Sequence, residues 1–309
     1  MLPLSLIYGM ITFIRNKFFD WGWYKELDFE IPLINVGNLA VGGTGKTPHI
    51  AYLIDLLVDK KVGVLSRGYG RGTKGFKLVS VDSRPVEVGD EMLMLKQKFA
   101  SLPMAVHENR ALGIAELLSH DENIDIILLD DAFQHRHVKS SINILLSEYQ
   151  RPFFRDWVMP LGRLREWRSG HKRADVIVFT KCPPDILPDT FYKSGNPKLE
   201  DKTFFSRLEY PNLKQVHGDS VDTSPSLLVT SIAKPEYLFN YLKTKIPNLS
   251  QKKYRDHYAY KQKDILWMHQ QNKSIICSYK DWVKLQLLDL PSDLNIWVQD
   301  VKIKFTDNK

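Results

Sequence analysis

The run Gly42-Gly43-Thr44-Gly45-Lys46-Thr47 sets three glycines, a lysine and a hydroxyl within six consecutive residues, a set suited to holding phosphates. Closely spaced glycines let backbone N–H groups converge on phosphate oxygens, Lys46 reaches the terminal phosphates, and Thr47 offers its hydroxyl to Mg2+. Pro48 falls in the first helical turn, where a missing N–H costs nothing. A strict phosphate-loop pattern has glycine where this chain has Ala40, so the match is partial. The competing reading is a glycine-rich turn with an incidental Lys-Thr pair. A site for a metal nucleotide also needs a carboxylate, commonly at the end of a neighbouring buried strand. Asp130 and Asp131 follow the apolar run Ile126-Ile127-Leu128-Leu129 and meet that need, although acidic pairs there also serve as helix caps or solvated turns.

The elements that must position these residues alternate. Residues 31–36 read as a short buried strand leading into the loop, and 46–58 as a helix with Leu53, Leu56 and Leu57 on its inner side. Further short apolar runs lie at 62–65, 104–106, 124–129, 142–146 and 176–179, with helical stretches such as 109–119 between some of them. This alternation predicts an α/β fold, a P-loop NTPase-like and mostly parallel sheet with helices on both faces. Residues 182–199, with prolines, a glycine and charges, read as a loop or linker. A second alternating set starts near Leu227, with strands at 227–229 and 274–278, helices at 236–242 and 263–271, and a strand or hairpin at 296–305. The expected organisation is an N-terminal helix (1–24), a phosphate-loop core (25–215) and a smaller α/β domain (216–309), with the boundary near 210–225.

Composition sets outer limits. With 309 residues, 43% hydrophobic and 26% charged, the chain can form one large domain or two modest ones. Its two cysteines, Cys182 and Cys277, lie far apart without metal-ligand spacing, which argues against a disulfide scaffold and suits a reducing cytoplasm. A net charge of +7 favours anionic partners such as phosphates, lipid headgroups or nucleic acid, or only aids solubility. Residues 1–14 are almost wholly apolar and lead into Arg15, Lys17, Phe18, Phe19, Trp21, Trp23 and Tyr24. The uncharged run is shorter than the ~20 residues a bilayer span needs, and it lacks the marks of a secretory signal. It fits a helix lying in a membrane interface; a helix packed on the core and a true span are the alternatives.

The run Val36-Gly37-Asn38-Leu39-Ala40-Val41-Gly42-Gly43-Thr44-Gly45-Lys46-Thr47-Pro48 resembles the signature of tetraacyldisaccharide 4'-kinases, the lipid A 4'-kinases of Gram-negative bacteria. The similarity continues through Leu65-Ser66-Arg67-Gly68-Tyr69-Gly70-Arg71, Val88-Gly89-Asp90-Glu91, Asn109-Arg110 and Leu129-Asp130-Asp131-Ala132-Phe133-Gln134-His135-Arg136. It then passes Pro160-Leu161-Gly162-Arg163-Leu164-Arg165-Glu166, Ala174-Asp175-Val176-Ile177-Val178-Phe179-Thr180-Lys181 and Arg255-Asp256-His257-Tyr258. Two runs depart from the pattern: Ser231 stands where the family usually places glycine, and Cys277-Ser278-Tyr279-Lys280-Asp281 is a loose version of a Thr-Glu-Lys-Asp run. The resemblance implies transfer of the ATP γ-phosphate to the 4'-hydroxyl of tetraacyldisaccharide 1-phosphate at the cytoplasmic face of the inner membrane. It implies ATP and Mg2+ as cofactors and a glycolipid acceptor, with the N-terminal helix on the membrane surface. Neither nucleic acid nor an obligate protein partner is expected.

By the same resemblance Asp90 accepts or orients the hydroxyl proton, His257 pairs with it, and Lys46 completes the catalytic group. A carboxylate–imidazole pair suits this task because each tunes the other's proton affinity. On residues alone Gly89-Asp90-Glu91 reads as a helix start with Asp90 as its cap. Gly42, Gly43, Thr44, Gly45, Lys46, Thr47 and Pro48 are expected on the nucleotide, with Lys181 near the adenine. Thr47, Glu91, Asp130 and Asp131 are expected around the metal. Arg67, Tyr69, Arg71, Arg110 and His135 are candidates for the anionic sugar phosphate, since guanidinium groups bind phosphate bidentately; for Arg71 a solvated turn is an equal alternative. Arg163, Arg165, Arg168, Lys172 and Arg173 form a basic cluster that is either a solvated face or a contact to ATP or lipid headgroups. A GTP-driven switch would need an Asn-Lys-x-Asp loop, whereas Thr180-Lys181 is followed by Cys182-Pro183-Pro184. A nucleic-acid-dependent NTPase fits poorly with the aromatic N-terminal helix.

Overall fold

The computed structural model describes residues 1–184, 186, 191, 202–218 and 226–306. From the N-terminus the chain forms α1 (Leu2–Asp20), β1 (Leu33–Asn38), α2 (Lys46–Leu56), β2 (Val62–Ser66), β3 (Lys77–Leu78), α3 (Pro85–Val88) and α4 (Asp90–Lys98). There follow β4 (Met104–Val106), α5 (Arg110–His120), β5 (Ile126–Asp130), β6 (Ile142–Glu148), β7 (Val176–Thr180) and β8 (Thr203–Glu209). The remainder holds β9 (Lys214–His217), β10 (Ser226–Thr230), α6 (Pro235–Lys245), β11 (Ser250–Lys253), α7 (Gln262–Gln270), β12 (Ser274–Ser278), α8 (Tyr279–Leu285), β13 (Ile296–Gln299) and β14 (Lys302–Phe305). Most of the loop expected at 182–199 lies outside the described residues, as does part of the expected boundary at 210–225.

A nine-stranded sheet runs β14-β8-β7-β6-β1-β5-β2-β4-β3. Its seven inner strands are parallel, and β3 and β14 close the edges antiparallel. The strands are apolar on both sides because helices cover both faces. On one face Ile34, Val36, Val64 and Leu128 pack with Ile50 and Ile54 of α2 and Leu93 of α4. On the other, Leu33, Leu65, Ile127 and Leu129 pack with Ile114 and Leu117 of α5. Each such fully buried side chain contributes about 1.5–3 kcal/mol. The strands β1, β2, β5, β6 and β7 end at Asn38, Ser66, Asp130, Glu148 and Thr180, on the side where ligands sit in open α/β sheets.

The second sheet runs β11-β10-β12-β13-β9, with β9 antiparallel to β13 and the rest parallel. A cut at 215/216 passes through β9, and β14 returns to the first sheet, where it pairs with β8. The single strand or hairpin expected at 296–305 is therefore two strands in two sheets. Asp300 breaks the run: its carboxylate accepts from the Val301 N–H at 2.8 Å and is ion-paired with Lys98 of α4. The two halves also share apolar core, since Val283 of α8 is buried among the α2 and α4 side chains of the first sheet. Gln286 Nε2 donates to Gln97 Oε1 at 3.0 Å beside that contact.

Helix α1 has two faces. Ser5 Oγ donates to the Val158 carbonyl at 2.6 Å, Trp167 Nε1 donates to the Gly9 carbonyl at 2.7 Å, and Tyr8 Oη donates to the Arg165 carbonyl at 2.9 Å. A Cβ on Gly9 would lie 2.7 Å from the Trp167 ring, so only glycine allows this approach. The opposite face presents Leu4, Leu6, Ile7, Met10, Ile11, Phe13 and Ile14, each at least 43% exposed. No helix among the described residues is long and apolar enough to cross a membrane.

His49 ties α2 to the sheet. Its Nδ1 lies 2.7 Å from the Gly45 carbonyl and its Nε2 3.0 Å from Ser206 Oγ on β8. A carbonyl only accepts, so the ring hydrogen is on Nδ1 and Nε2 accepts from the serine hydroxyl. Burial pushes the imidazole down to about 4. The unfolded chain takes up this proton below about pH 6.5, while the folded one resists until about 4, so stability falls as pH drops through that window. His49→Gln is expected to reduce this acid loss by up to about 1.4 kcal/mol per pH unit, read by urea denaturation between pH 7 and 4.5. An unchanged acid limb would show that the ring is protonated in the fold.

Candidate active site

Four consecutive carbonyls of the glycine-rich loop are turned into the protein. The Thr44 N–H donates to Gly42 O at 3.0 Å, Lys181 Nζ to Gly43 O at 2.5 Å, Thr180 Oγ1 to Thr44 O at 2.9 Å, and His49 Nδ1 to Gly45 O. Asn38 Nδ2 donates to Thr44 Oγ1 at 2.9 Å. With these carbonyls engaged, the N–H groups at the start of α2 are left to meet an anion. Gly42 (φ 111°) and Gly45 (φ 90°) adopt backbone angles that side chains disfavour. Ala40 needs no such freedom: it forms a bridge with Leu164, which explains why this position departs from the strict pattern.

Three carboxylates face this loop's lysine. Asp130 is buried; its Oδ2 accepts from Ser66 Oγ at 2.9 Å, and its Oδ1 has no partner among the described residues. Burial, then the Glu91 charge, pushes Asp130 up to about 6. A buried carboxylate with a free oxygen beside a like charge fits a divalent cation. Asp131, expected with it, is otherwise committed: Arg165 holds both oxygens at 3.0 and 3.2 Å, and Lys46 stands 3.7 Å away. Burial raises the Asp131 carboxyl, but the Lys46 and Arg165 charges outweigh it and hold it below the usual range. Among the described residues no three His, Cys, Asp or Glu side chains converge as a cation site. Mg2+ would therefore rest on Asp130 or Glu91 and the Thr47 hydroxyl, with phosphate oxygens and water completing its shell.

The second sheet delivers the facing group. Gly89 (φ 87°) is the cap of α4 and Asp90 its first helical residue, so the helix starts one position earlier than expected; a Cβ on Gly89 would lie 3.0 Å from the Tyr69 carbonyl. His257 also has positive φ, 57°. Its Nδ1 sits 3.0 Å from both Asp90 oxygens, and Lys280 Nζ lies 3.3 Å from its Nε2. An ammonium only donates, so Nε2 accepts and the ring hydrogen on Nδ1 is shared with Asp90. Burial raises the Asp90 carboxyl, but the His257 hydrogen bond and the Lys280 and Lys284 charges hold it below the usual range. The bond to Asp90 in turn raises His257 against burial and Lys280. Lys280 also donates to Glu91 Oε1 at 3.0 Å and stands 3.7 Å from Asp90 and from Asp256.

The arginines divide. Arg67 is exposed and Tyr69 is 71% exposed, with its ring 5.2 Å from that of His257. Arg71 instead staples its own loop, donating to Glu108 and the Gly75 carbonyl, both at 2.7 Å. Arg110 is 2% exposed and donates to the His107 carbonyl at 2.7 Å and the Asp130 carbonyl at 3.2 Å. Both guanidinium groups, expected on a sugar phosphate, are engaged inside the fold. Burial and the Arg110 and Arg67 charges push His135 down to about 4. The basic cluster is largely paired as well, Arg163 with Asp156, Arg165 with Asp131 and Arg173 with Glu166.

Lys181, expected beside the adenine, binds the loop carbonyl of Gly43 and Glu148. Glu148 escaped the sequence reading although it ends a buried strand as Asp130 does. It is 4% exposed and meets Lys234 of the second sheet's loop at 2.5 Å, Lys181 at 3.2 Å and Arg163 at 3.7 Å. Lys280 and Lys284 were missed too. The signal was the run ending in Lys280-Asp281, which matched the family pattern only loosely.

Residues 1–309 match the family model described as tetraacyldisaccharide-1-P 4'-kinase. The chain belongs to this family. A tetraacyldisaccharide 4'-kinase of Bacteroides fragilis is 43% identical over 279 residues, 85% of this chain and 74% of its own length. That of Flavobacterium psychrophilum is 42% identical over 324 residues, covering 100% of this chain and 93% of the relative. The fold is similar to a crystal structure of LpxK from Aquifex aeolicus in complex with ATP, with a TM-score of 0.81 at 28% identity, over 99% of this chain and 94% of that one.

Within this kinase family member, Glu148 joins the loop's support to the second sheet. Glu148→Ala leaves three cations without their carboxylate. The expected loss is about 2 kcal/mol in urea denaturation, less than for a fully buried pair because Lys234 and Arg163 keep contact with water. A loss below about 0.5 kcal/mol would match a surface pair instead.

Proposed function

We propose that the chain transfers the γ-phosphate of ATP to the 4'-hydroxyl of tetraacyldisaccharide 1-phosphate. The observation that carries this reading is the Asp90–His257 pair, facing a glycine-rich loop with its lysine, in a chain that belongs to the 4'-kinase family. The loop N–H groups and Lys46 hold the nucleotide, and Thr47, Glu91 and Asp130 are the candidates for the metal. Mg2+, when bound, neutralises charge between the β- and γ-phosphates. Asp90 stays ionised and accepts the hydroxyl proton, while His257 holds its carboxylate in place by the Nδ1–H bond. Arg67, Tyr69 and His135 remain the candidates for the anionic sugar, with Arg71 and Arg110 supporting their loops from inside.

The acceptor is a lipid, and the apolar face of α1 with Trp21, Trp23 and Tyr24 beyond it favours docking at a membrane interface. Working from the cytoplasmic face of the inner membrane, the enzyme would meet its acceptor without extracting it from the bilayer. Because α1 is bonded to the core through Ser5, Tyr8 and Trp167, its inner face fixes the orientation of the outer one.

Asp90→Asn is expected to lower turnover by about 10²–10⁴-fold while the Kd for ATP stays nearly unchanged. The measure is transfer of labelled phosphate to a lipid A precursor, with the phosphorylated position identified. Acceptor-independent GTP hydrolysis by the wild type would favour a nucleotide switch instead. On the membrane side, Ile7→Glu with Ile11→Glu should weaken sedimentation with anionic vesicles at an unchanged melting temperature. Undiminished sedimentation would assign the outer face of α1 another role.

A further inference from the structure

Two lysines one helical turn apart on α8 point at Asp90. Lys280 Nζ is 3.7 Å and Lys284 Nζ 3.9 Å from Asp90 Oδ2. They do different things. Lys284 turns inward, donating to Ser231 Oγ at 2.5 Å and to the Tyr258 carbonyl at 3.1 Å, and so holds the loop that carries His257. Asp281, fully buried, accepts from the Ser231 N–H, the Tyr260 hydroxyl and the Ser278 hydroxyl behind it. Lys280 instead stands in the cleft between the two carboxylates that begin α4, bonded to Glu91 and close to Asp90. Its position is fixed from behind by Val283 of the same helix, which is buried in the core of the first sheet.

We infer that Lys280 is a catalytic residue, the second sheet's cation for the phosphoryl group during transfer. The inference rests on the phosphotransfer proposed above. In that step the acceptor hydroxyl oxygen bonds to the γ-phosphorus and its proton passes to Asp90. The bond from phosphorus to the β-bridging oxygen breaks, and ADP leaves with that electron pair. Charge on the transferred group is spread over its three equatorial oxygens, and the protein's contribution is mostly to meet that charge. Lys46 meets it from the donor side. On the acceptor side the reacting oxygen must lie within hydrogen-bond reach of Asp90, and the lysine nearest that carboxylate and not turned inward is Lys280. Glu91 holds the ammonium at 3.0 Å, within 3.7 Å of Asp90. Because Lys280 belongs to the second sheet, the cation arrives only where the two halves meet, together with His257.

The test is Lys280→Met. Turnover with the lipid acceptor should fall about 10²–10³-fold, while the Kd for ATP, measured without acceptor, and the melting temperature change little. Sulfur in place of a non-bridging γ-oxygen, as in ATPγS, reads the contact directly: the ratio of ATP to ATPγS rates should change in the variant. Should the methionine variant not fold, Lys280→Arg, which keeps the charge but displaces it, reads the same ratio. Turnover within about threefold of wild type, or an unchanged sulfur ratio in a folded variant, overturns the role of Lys280. Wild-type protein that phosphorylates no lipid acceptor overturns the reaction itself.

Discussion

A carboxylate removed from water keeps its charge only when a cation or several hydrogen bonds replace the solvent it lost. That constraint organises this molecule. The parallel strands of the first sheet end in acidic or polar groups, and these are supplied with cations from other parts of the chain. Asp131 is held by Arg165 from the long segment after β6, and Glu148 by Lys181 and by Lys234 from the second sheet. Asp90 and Glu91 are held by Lys280 and His257. Asp130 differs. It keeps a buried oxygen without a partner among the described residues. The same electrostatic rule thus ties the two halves together and leaves Asp130 short of a partner among the described residues.

How much of this was legible in the sequence depended on the range of the interaction. The phosphate loop, its flanking strand and helix, and the acidic end of β5 are contiguous, and their residue types carry their own backbone logic. The strand positions were readable because both faces are covered, which produces short unbroken apolar runs. Asp90 and His257, 167 positions apart, were linked only through family resemblance, since nothing local to Gly89-Asp90-Glu91 distinguishes a proton acceptor from a helix start. The fate of Arg71 and Arg110 was not legible at all. A guanidinium beside a glycine-rich turn looks the same in sequence whether it reaches a ligand or, as here, bonds to carbonyls of its own loop. The return of β14 to the first sheet was hidden for a similar reason: β13 and β14 are separated by only Asp300 and Val301, and short spacing normally means a hairpin.

Helix α1 packs on the core with one face and leaves large apolar side chains on the other. Its small and polar positions, Ser5 and Gly9, face inward because a tryptophan ring and a backbone carbonyl need close approach there. Its large apolar side chains are therefore left facing outward, the reverse of an ordinary surface helix. Packing on the core and presenting an apolar outer face are complementary here, since a rigidly held helix fixes the direction in which that face points.

The division of labour across the cleft has a chemical reason. Water is a smaller nucleophile than a sugar hydroxyl, and a loop that bound ATP beside a complete catalytic group would hydrolyse it. In this chain the glycine-rich loop, Gly42 to Thr47, belongs to the first sheet, whereas His257 and Lys280 are carried by the second. His257 is held in a left-handed backbone conformation by the Ser231 carbonyl and by the loop that Lys284 braces. Such a conformation is costly for a side chain bearing a Cβ and persists where the surroundings impose it. Asp90 gains its imidazole partner, and Glu91 its ammonium, only when the second sheet is seated against α4. The carboxylate–imidazole pair therefore exists only where the two halves meet.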